Sequence, residues 1–121
     1  MTLHHVQNRL LPSLAEFGQW LAGRPWDLVV GYRCNAVGQC PLSMWLQQAL
    51  RARCVVVDDE TVAIERLQDE WTFAITPSAY RRFIETIDYA GETPHRHVQV
   101  LEVRHVLRQL SREEVLMGSR E

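Results

Sequence analysis

The chain has 121 residues, 46% hydrophobic and 23% charged, with a formal net charge of −2. That length and balance fit one domain with an ordinary core over residues 1–121, exclude wholesale disorder, and give no bulk electrostatic pull toward nucleic acid or an anionic membrane. No run of about 18 apolar residues offers a membrane-spanning helix, and no apolar stretch behind a basic start reads as a secretory signal, so a cytoplasmic protein without a membrane partner is expected.

Residues 1–10 are largely polar, carry His4 and His5, and are expected to be mobile. Ser13 with Glu16 three residues on forms a capping box, and Leu14, Phe17 and Leu21 then share one helix face until Gly23 and Pro25 stop it. Trp26 to Val30 reads as one turn opened by Pro25, the alternative being a short buried strand at Leu28-Val29-Val30. Residues 31–39, with two glycines and an asparagine, read as a loop. Pro41 suits the first position of a helix over 41–51, with Leu42, Trp45, Leu46 and Leu50 or Ala49 at helical spacing.

Cys54 to Val57 and Thr61 to Glu65 form a hairpin across the polar turn Asp58-Asp59-Glu60, and Trp71, Phe73 and Ile75 alternate as a third strand. Thr76 and Pro77 cap and open a helix over 77–89, carrying Tyr80, Phe83, Ile84 and Ile87 and ended by Gly91. Residues 92–97 read as a loop. Val103, Val106, Leu107 and Leu110 line a last helix from about residue 100, and residues 112–121 are expected to be mobile. The fold class is therefore α+β, with about four helices packed on a small three-stranded antiparallel meander. The 41–51 and 77–89 helices are expected to share one core, where Trp45, Leu46, Val55, Val57, Phe83, Ile84 and Ile87 meet.

The segment GQCPLSMWLQQAL, the RCVVVDDETVAI hairpin and TPSAYRRFIETID follow one another over roughly residues 28–110. In that order they resemble small bacterial and phage proteins with a Cys-Pro-Leu-Ala-type helix start, for which no function is established. Ser43 stands here in place of the alanine. The resemblance implies a bacterial or phage origin and a similar fold, and implies no activity.

Cys40 precedes Pro41 at a helix N-terminus, where free N–H groups and the helix dipole favour a thiolate. With His95, His97 or His105 as base it is the candidate nucleophile of a thiol enzyme or redox protein. The plainer reading is a small residue that caps the helix and packs beneath it, because no local signature of a known cysteine enzyme surrounds it. Cys34, Cys40, His95 and His97 are the candidate metal ligands. The spacing of Cys34 and Cys40 misses that of structural zinc sites, so neither metal nor other cofactor is expected. An odd cysteine count rules out full pairing within the chain, and a Cys34–Cys40 disulfide would need an oxidising compartment.

All 13 basic residues are arginine. A GC-rich coding sequence accounts for that; the alternative is a surface built for bidentate contacts, which lysine does not make. Arg104, Arg108 and Arg112 repeat every four residues on the last helix. With Arg81, Arg82 and Arg96 they form a candidate phosphate-binding patch. Against it stands a solvated helix face answered by Glu85, Glu102 and Glu113. Asp58, Asp59, Glu60, Glu65, Asp69 and Glu70 make one region acidic, which turn chemistry explains more simply than acid–base catalysis.

Trp20, Trp26, Trp45 and Trp71 are read as core, and an exposed one would mark a partner surface. The functional expectation is a small cytosolic, non-catalytic interaction or regulatory protein working by protein–protein contact. The runner-up is a nucleic-acid-associated accessory protein using the arginine patch, and the third reading is the thiol enzyme.

Overall fold

The computed structural model describes residues 2–5, 11–32, 39–89 and 97–116. Ten elements follow in the order β1 (Thr2–His5), α1 (Leu14–Leu21), β2 (Val29–Tyr32), α2 (Pro41–Ala49), β3 (Cys54–Val57), β4 (Thr61–Leu67), β5 (Glu70–Ile75), α3 (Ser78–Tyr89), β6 (His97–Gln99) and α4 (Val100–Leu116). The class is α+β with four helices, as the periodicities predict.

Local chemistry sets the helix ends. The Glu16 N–H donates to Ser13 Oγ at 3.3 Å and the Ser13 N–H donates to the Glu16 carboxylate at 2.8 Å, which completes the capping box of α1. Gly23 follows the helix at φ +87°, a conformation that costs glycine little. At α2, Pro41 occupies the first turn and the Ser43 N–H donates to the Cys40 sulfur at 3.4 Å, so Cys40 is the cap.

The meander β3–β4–β5 forms in the expected order. Its first turn is built by Asp58, whose carboxylate accepts the Glu60 N–H at 2.8 Å and the Thr61 N–H at 2.6 Å. Thr76 is buried rather than placed as a simple cap. Its hydroxyl donates to the Asp58 carbonyl at 2.8 Å and its N–H to the Glu60 carbonyl at 3.0 Å, which ties the start of α3 to that turn.

Three strands depart from the sequence expectation. β1 pairs in parallel with β5, from Thr2 opposite Glu70 to His5 opposite Phe73, so the sheet has four strands in the order β1-β5-β4-β3. Residues 2–5 of the segment expected to be mobile over residues 1–10 thus contribute an edge strand, and residues 6–10 lie outside the described residues. The strand has little apolar pattern of its own, and the bonds come from the free edge of β5.

Strands β2 and β6 form a second, two-stranded antiparallel sheet. The expected turn after Pro25 is present, with the Leu28 N–H donating to the Pro25 carbonyl at 3.1 Å. The chain then extends through Gly31 and Tyr32, which were expected in a loop. His97, also expected in a loop, lies in β6. Gly91 falls outside the described residues, and α4 runs on to Leu116.

One core joins these elements. Val55, Val62, Ile64 and Ala74 line the inner face of the sheet, and Leu42, Trp45, Leu46, Phe83, Ile87, Val103 and Val106 close over it. Phe17 lies at the centre, stacked on Trp45 at 4.6 Å and edge-on to Phe83 at 5.6 Å. The shared core expected between α2 and α3 is therefore present, with Val57 and Ile84 packed half-buried at its margin. Of the four tryptophans only Trp45 is buried; Trp20 and Trp71 are half-buried and Trp26 is 61% exposed.

Tyr80 fastens α3 to the segment ahead of α1 by donating its hydroxyl to the Pro12 carbonyl. Burial, and after it the charge of Glu16, raises the pKa of this hydroxyl above the ordinary tyrosine value. A raised value favours the protonated form in the native state. The contribution is therefore full below about pH 10 and is lost as the pH climbs beyond it. Tyr80→Phe is expected to cost about 1–2 kcal/mol at neutral pH and to flatten the alkaline loss of stability, as read by urea unfolding at neutral and alkaline pH.

Candidate functional site

The second sheet organises a groove that draws on three elements of the fold. Strand β2 forms the floor of a groove of about 270 Å³, walled by Trp20 and Arg24 at the end of α1 and by Met44 and Gln48 on α2. Gly31 permits the close approach of β2 to the start of α2. A Cβ there would lie 2.6 Å from the Pro41 nitrogen and 2.8 Å from the Gln39 oxygen. The Tyr32 N–H donates to that same Gln39 oxygen at 2.8 Å, which locks the floor to the wall. The Arg24 guanidinium carbon lies 4.0 Å from the centre of the Trp20 ring and the group donates to the Trp20 carbonyl, so a cation rests over an aromatic in the groove wall.

Four large apolar residues are exposed beside the groove: Trp26 at 61%, Leu28 at 42%, Val29 at 41% and Leu101 at 43%. Their main chains are bonded neighbours. The Leu101 N–H donates to the Trp26 carbonyl at 3.0 Å, the Val100 N–H donates to the Leu28 carbonyl at 2.9 Å, and Val29 pairs with Gln99. Single exposed apolar residues are ordinary on a protein surface, whereas a contiguous group marks a contact site.

Cys40 is half-buried, and its thiol also donates to the Ser43 hydroxyl at 3.4 Å. Of the proposed bases, His105 is exposed on α4, and His97 is exposed on β6 with its ring edge-on to Tyr32 at 4.9 Å. Cys34, His95 and Arg96 lie outside the described residues. Among the described residues, no group of three His, Cys, Asp or Glu side chains is placed to hold a metal ion.

Arg104, Arg108 and Arg112 are exposed along α4, while Val103, Val106 and Leu110 of the same helix are buried. His105, Arg108, Gln109 and Arg112 line a depression of about 550 Å³. Arg81 is exposed and Arg82 half-buried on α3. The Glu102 carboxylate accepts the Gln99 N–H at 3.3 Å and so caps the start of α4. The carboxylate of Asp58 is engaged by turn amides, in keeping with the turn reading of the acidic run.

The chain matches no family profile, no curated protein and no solved structure.

Among the described residues no helix is long and apolar enough to cross a membrane. Sequence reasoning missed the groove because its residues come from three separate segments. The available signal was Trp26 with Leu28 and Val29, an apolar stretch between turn formers that no helix or sheet period explains.

Proposed function

We propose that the protein is a small, non-catalytic interaction protein that works by protein–protein contact, and that the β2 groove with its apolar rim is the docking surface. The exposure of Trp26 together with its bonded neighbours Leu28, Val29 and Leu101 carries this reading. Tryptophan, tyrosine and arginine are the residues that dominate binding energy at protein interfaces; Trp20, Tyr32 and Arg24 line the groove, and the exposed Trp26 is main-chain bonded to Leu101 on its rim. The resemblance to small bacterial and phage proteins supports a bacterial or phage origin.

A second reading, contact with nucleic acid, is favoured by the exposed stripe Arg104, Arg108 and Arg112 beside the His105–Arg112 depression. A photo-crosslinking side chain in place of Trp26, and separately of Arg108, tests both. The docking reading expects discrete protein adducts from position 26. It also expects their loss on Leu28→Ser with Leu101→Ser, measured where circular dichroism shows that the variant remains folded. Nucleic-acid adducts from position 108, with none to protein from position 26, would overturn it in favour of the arginine stripe.

A further inference from the structure

We propose that β1 is a detachable strap, and that by lying on β5 it keeps this edge of the sheet from pairing with the same edge of a second copy of the chain. Main-chain directions show what β1 closes. The Thr76 N–H donates to the Glu60 carbonyl at 3.0 Å, and Ala74 and Thr72 lie opposite Val62 and Ile64. The main-chain groups of Thr72, Ala74 and Thr76 therefore turn toward β4, and those of Trp71, Phe73 and Ile75 alternate to the other edge. There β1 runs in parallel, from Thr2 opposite Glu70 to His5 opposite Phe73. In a parallel ladder a residue bonds to the two neighbours of the one opposite it. The Trp71 N–H thus faces the Thr2 carbonyl, the His4 N–H faces the Trp71 carbonyl, and the Phe73 N–H faces the His4 carbonyl.

Left bare, this edge invites another strand. β5 carries four apolar residues in six and no proline, arginine or lysine to deter pairing. It also matches itself. With Phe73 on a two-fold axis, antiparallel pairing sets Phe73 on Phe73 and Trp71 on Ile75, so the outward main-chain groups of one copy meet those of the other. Those apolar pairs share one face of the joined sheet, and Glu70 meets Thr76, so no like charges oppose. The far edge of the sheet is covered from α2, where the Gln47 side chain accepts the Val55 N–H of β3 at 3.3 Å. β1 covers the β5 edge in the same sense. It replaces a six-residue apolar edge by one of four residues with a single aliphatic side chain, Leu3.

The strap is held far less firmly than the strand beneath it. β1 has β5 as its single neighbour in the sheet, whereas β5 is also bonded to β4 along its length and places Ala74 in the core. Ladder bonds over four residues do little more than offset the entropy of ordering them. β1 therefore opens and recloses while the core persists. Tethering gives it a local concentration on the order of 1 mM, so it outcompetes a second chain at micromolar concentration.

Hydrogen exchange of the full chain, followed by NMR, tests the strap. Protection factors at Trp71 and Phe73 are expected to be at least about a hundredfold below those at Thr72 and Ala74, and insensitive to low urea, the mark of local opening. Equal protection at all four overturns the proposal. His4→Pro removes the N–H that faces Trp71, and His4→Ala keeps it. Over about 10–500 µM, sedimentation equilibrium is expected to find the His4→Ala chain at the same mass as the parent and the His4→Pro chain shifting toward twice that mass. Adding Ile75→Pro, which removes an outward N–H of β5 at an exposed residue, is expected to abolish that shift. A His4→Pro chain that does not associate although Trp71 and Phe73 have lost protection, or whose association is indifferent to Ile75→Pro, overturns the guarding of this edge.

Discussion

Phe83→Ala is expected to cost about 3–5 kcal/mol of folding free energy, a large share of the roughly 5–15 kcal/mol that a domain of this size possesses. Phe83 is fully buried, and its ring meets Phe17 edge-on at 5.6 Å. Phe17 in turn stacks on Trp45. Truncation would therefore remove apolar contact at the point where α1, α2 and α3 converge, and rings held from three directions cannot close the cavity by rotation alone. The measurement is equilibrium denaturation in urea. The midpoint should fall with the slope unchanged, because the same surface is exposed on unfolding. A loss below about 1 kcal/mol would mean that the neighbouring rings collapse freely into the space, and that the aromatic cluster is not the centre of the core.

That convergence was legible in the sequence because each partner announces itself locally. Phe17, Trp45 and Phe83 all sit on 3.6-period stripes behind recognisable helix starts, and three apolar stripes in one short chain have to meet. Strand β5 shows where such legibility stops. The alternation of Trp71, Phe73 and Ile75 identifies a strand and says that the three share a face. A period of two does not say which face points inward. Pairing with β4 decides it. Val62 and Ile64 are committed to the core, and the register sets Ala74 and Thr72 beside them.

The remaining gaps have a common cause in sequence distance. β1 meets β5 through Thr2 and Glu70, and β2 meets β6 through Val29 and Gln99. β1, β2 and β6 are as short as β3 but lack its unbroken valine run and its adjacent hairpin partner, so nothing distinguishes them from loops until a remote partner supplies the bonds. The same holds at the candidate site. The Cys40 cap could be read from one dipeptide, Cys-Pro, and the structure places the sulfur on the Ser43 amide. The groove beside it draws on α1, β2 and α2, and no local motif carries that combination.

Gly31→Ala is expected to cost at least about 2–3 kcal/mol, at the upper end of what overpacking usually does. Space rather than backbone conformation sets the cost, since the added methyl would stand 2.6 Å from the Pro41 nitrogen, 2.8 Å from the Pro41 Cα and 2.8 Å from the Gln39 oxygen. All three are main-chain atoms, and Pro41 is held by its ring at the first turn of α2, so no side-chain rotation relieves the contact. Either β2 must leave its place under the groove or the start of α2 must back away. Both movements lengthen the bond from the Tyr32 N–H to the Gln39 oxygen, and the second loosens the Cys40 sulfur from the Ser43 amide.

Two measurements separate these consequences from simple destabilisation. In the parent chain Cys40 is half-buried and engaged with Ser43, and a bulky thiol reagent is expected to label it slowly. In the Gly31→Ala chain, under conditions where the domain remains folded, that labelling should accelerate. Protein adducts from a crosslinker in place of Trp26 should weaken with it, because the floor of the groove and the rim share β2. Unchanged unfolding, labelling and crosslinking would together show that α2 yields to β2 without cost, and would remove the rigid floor on which the docking reading stands.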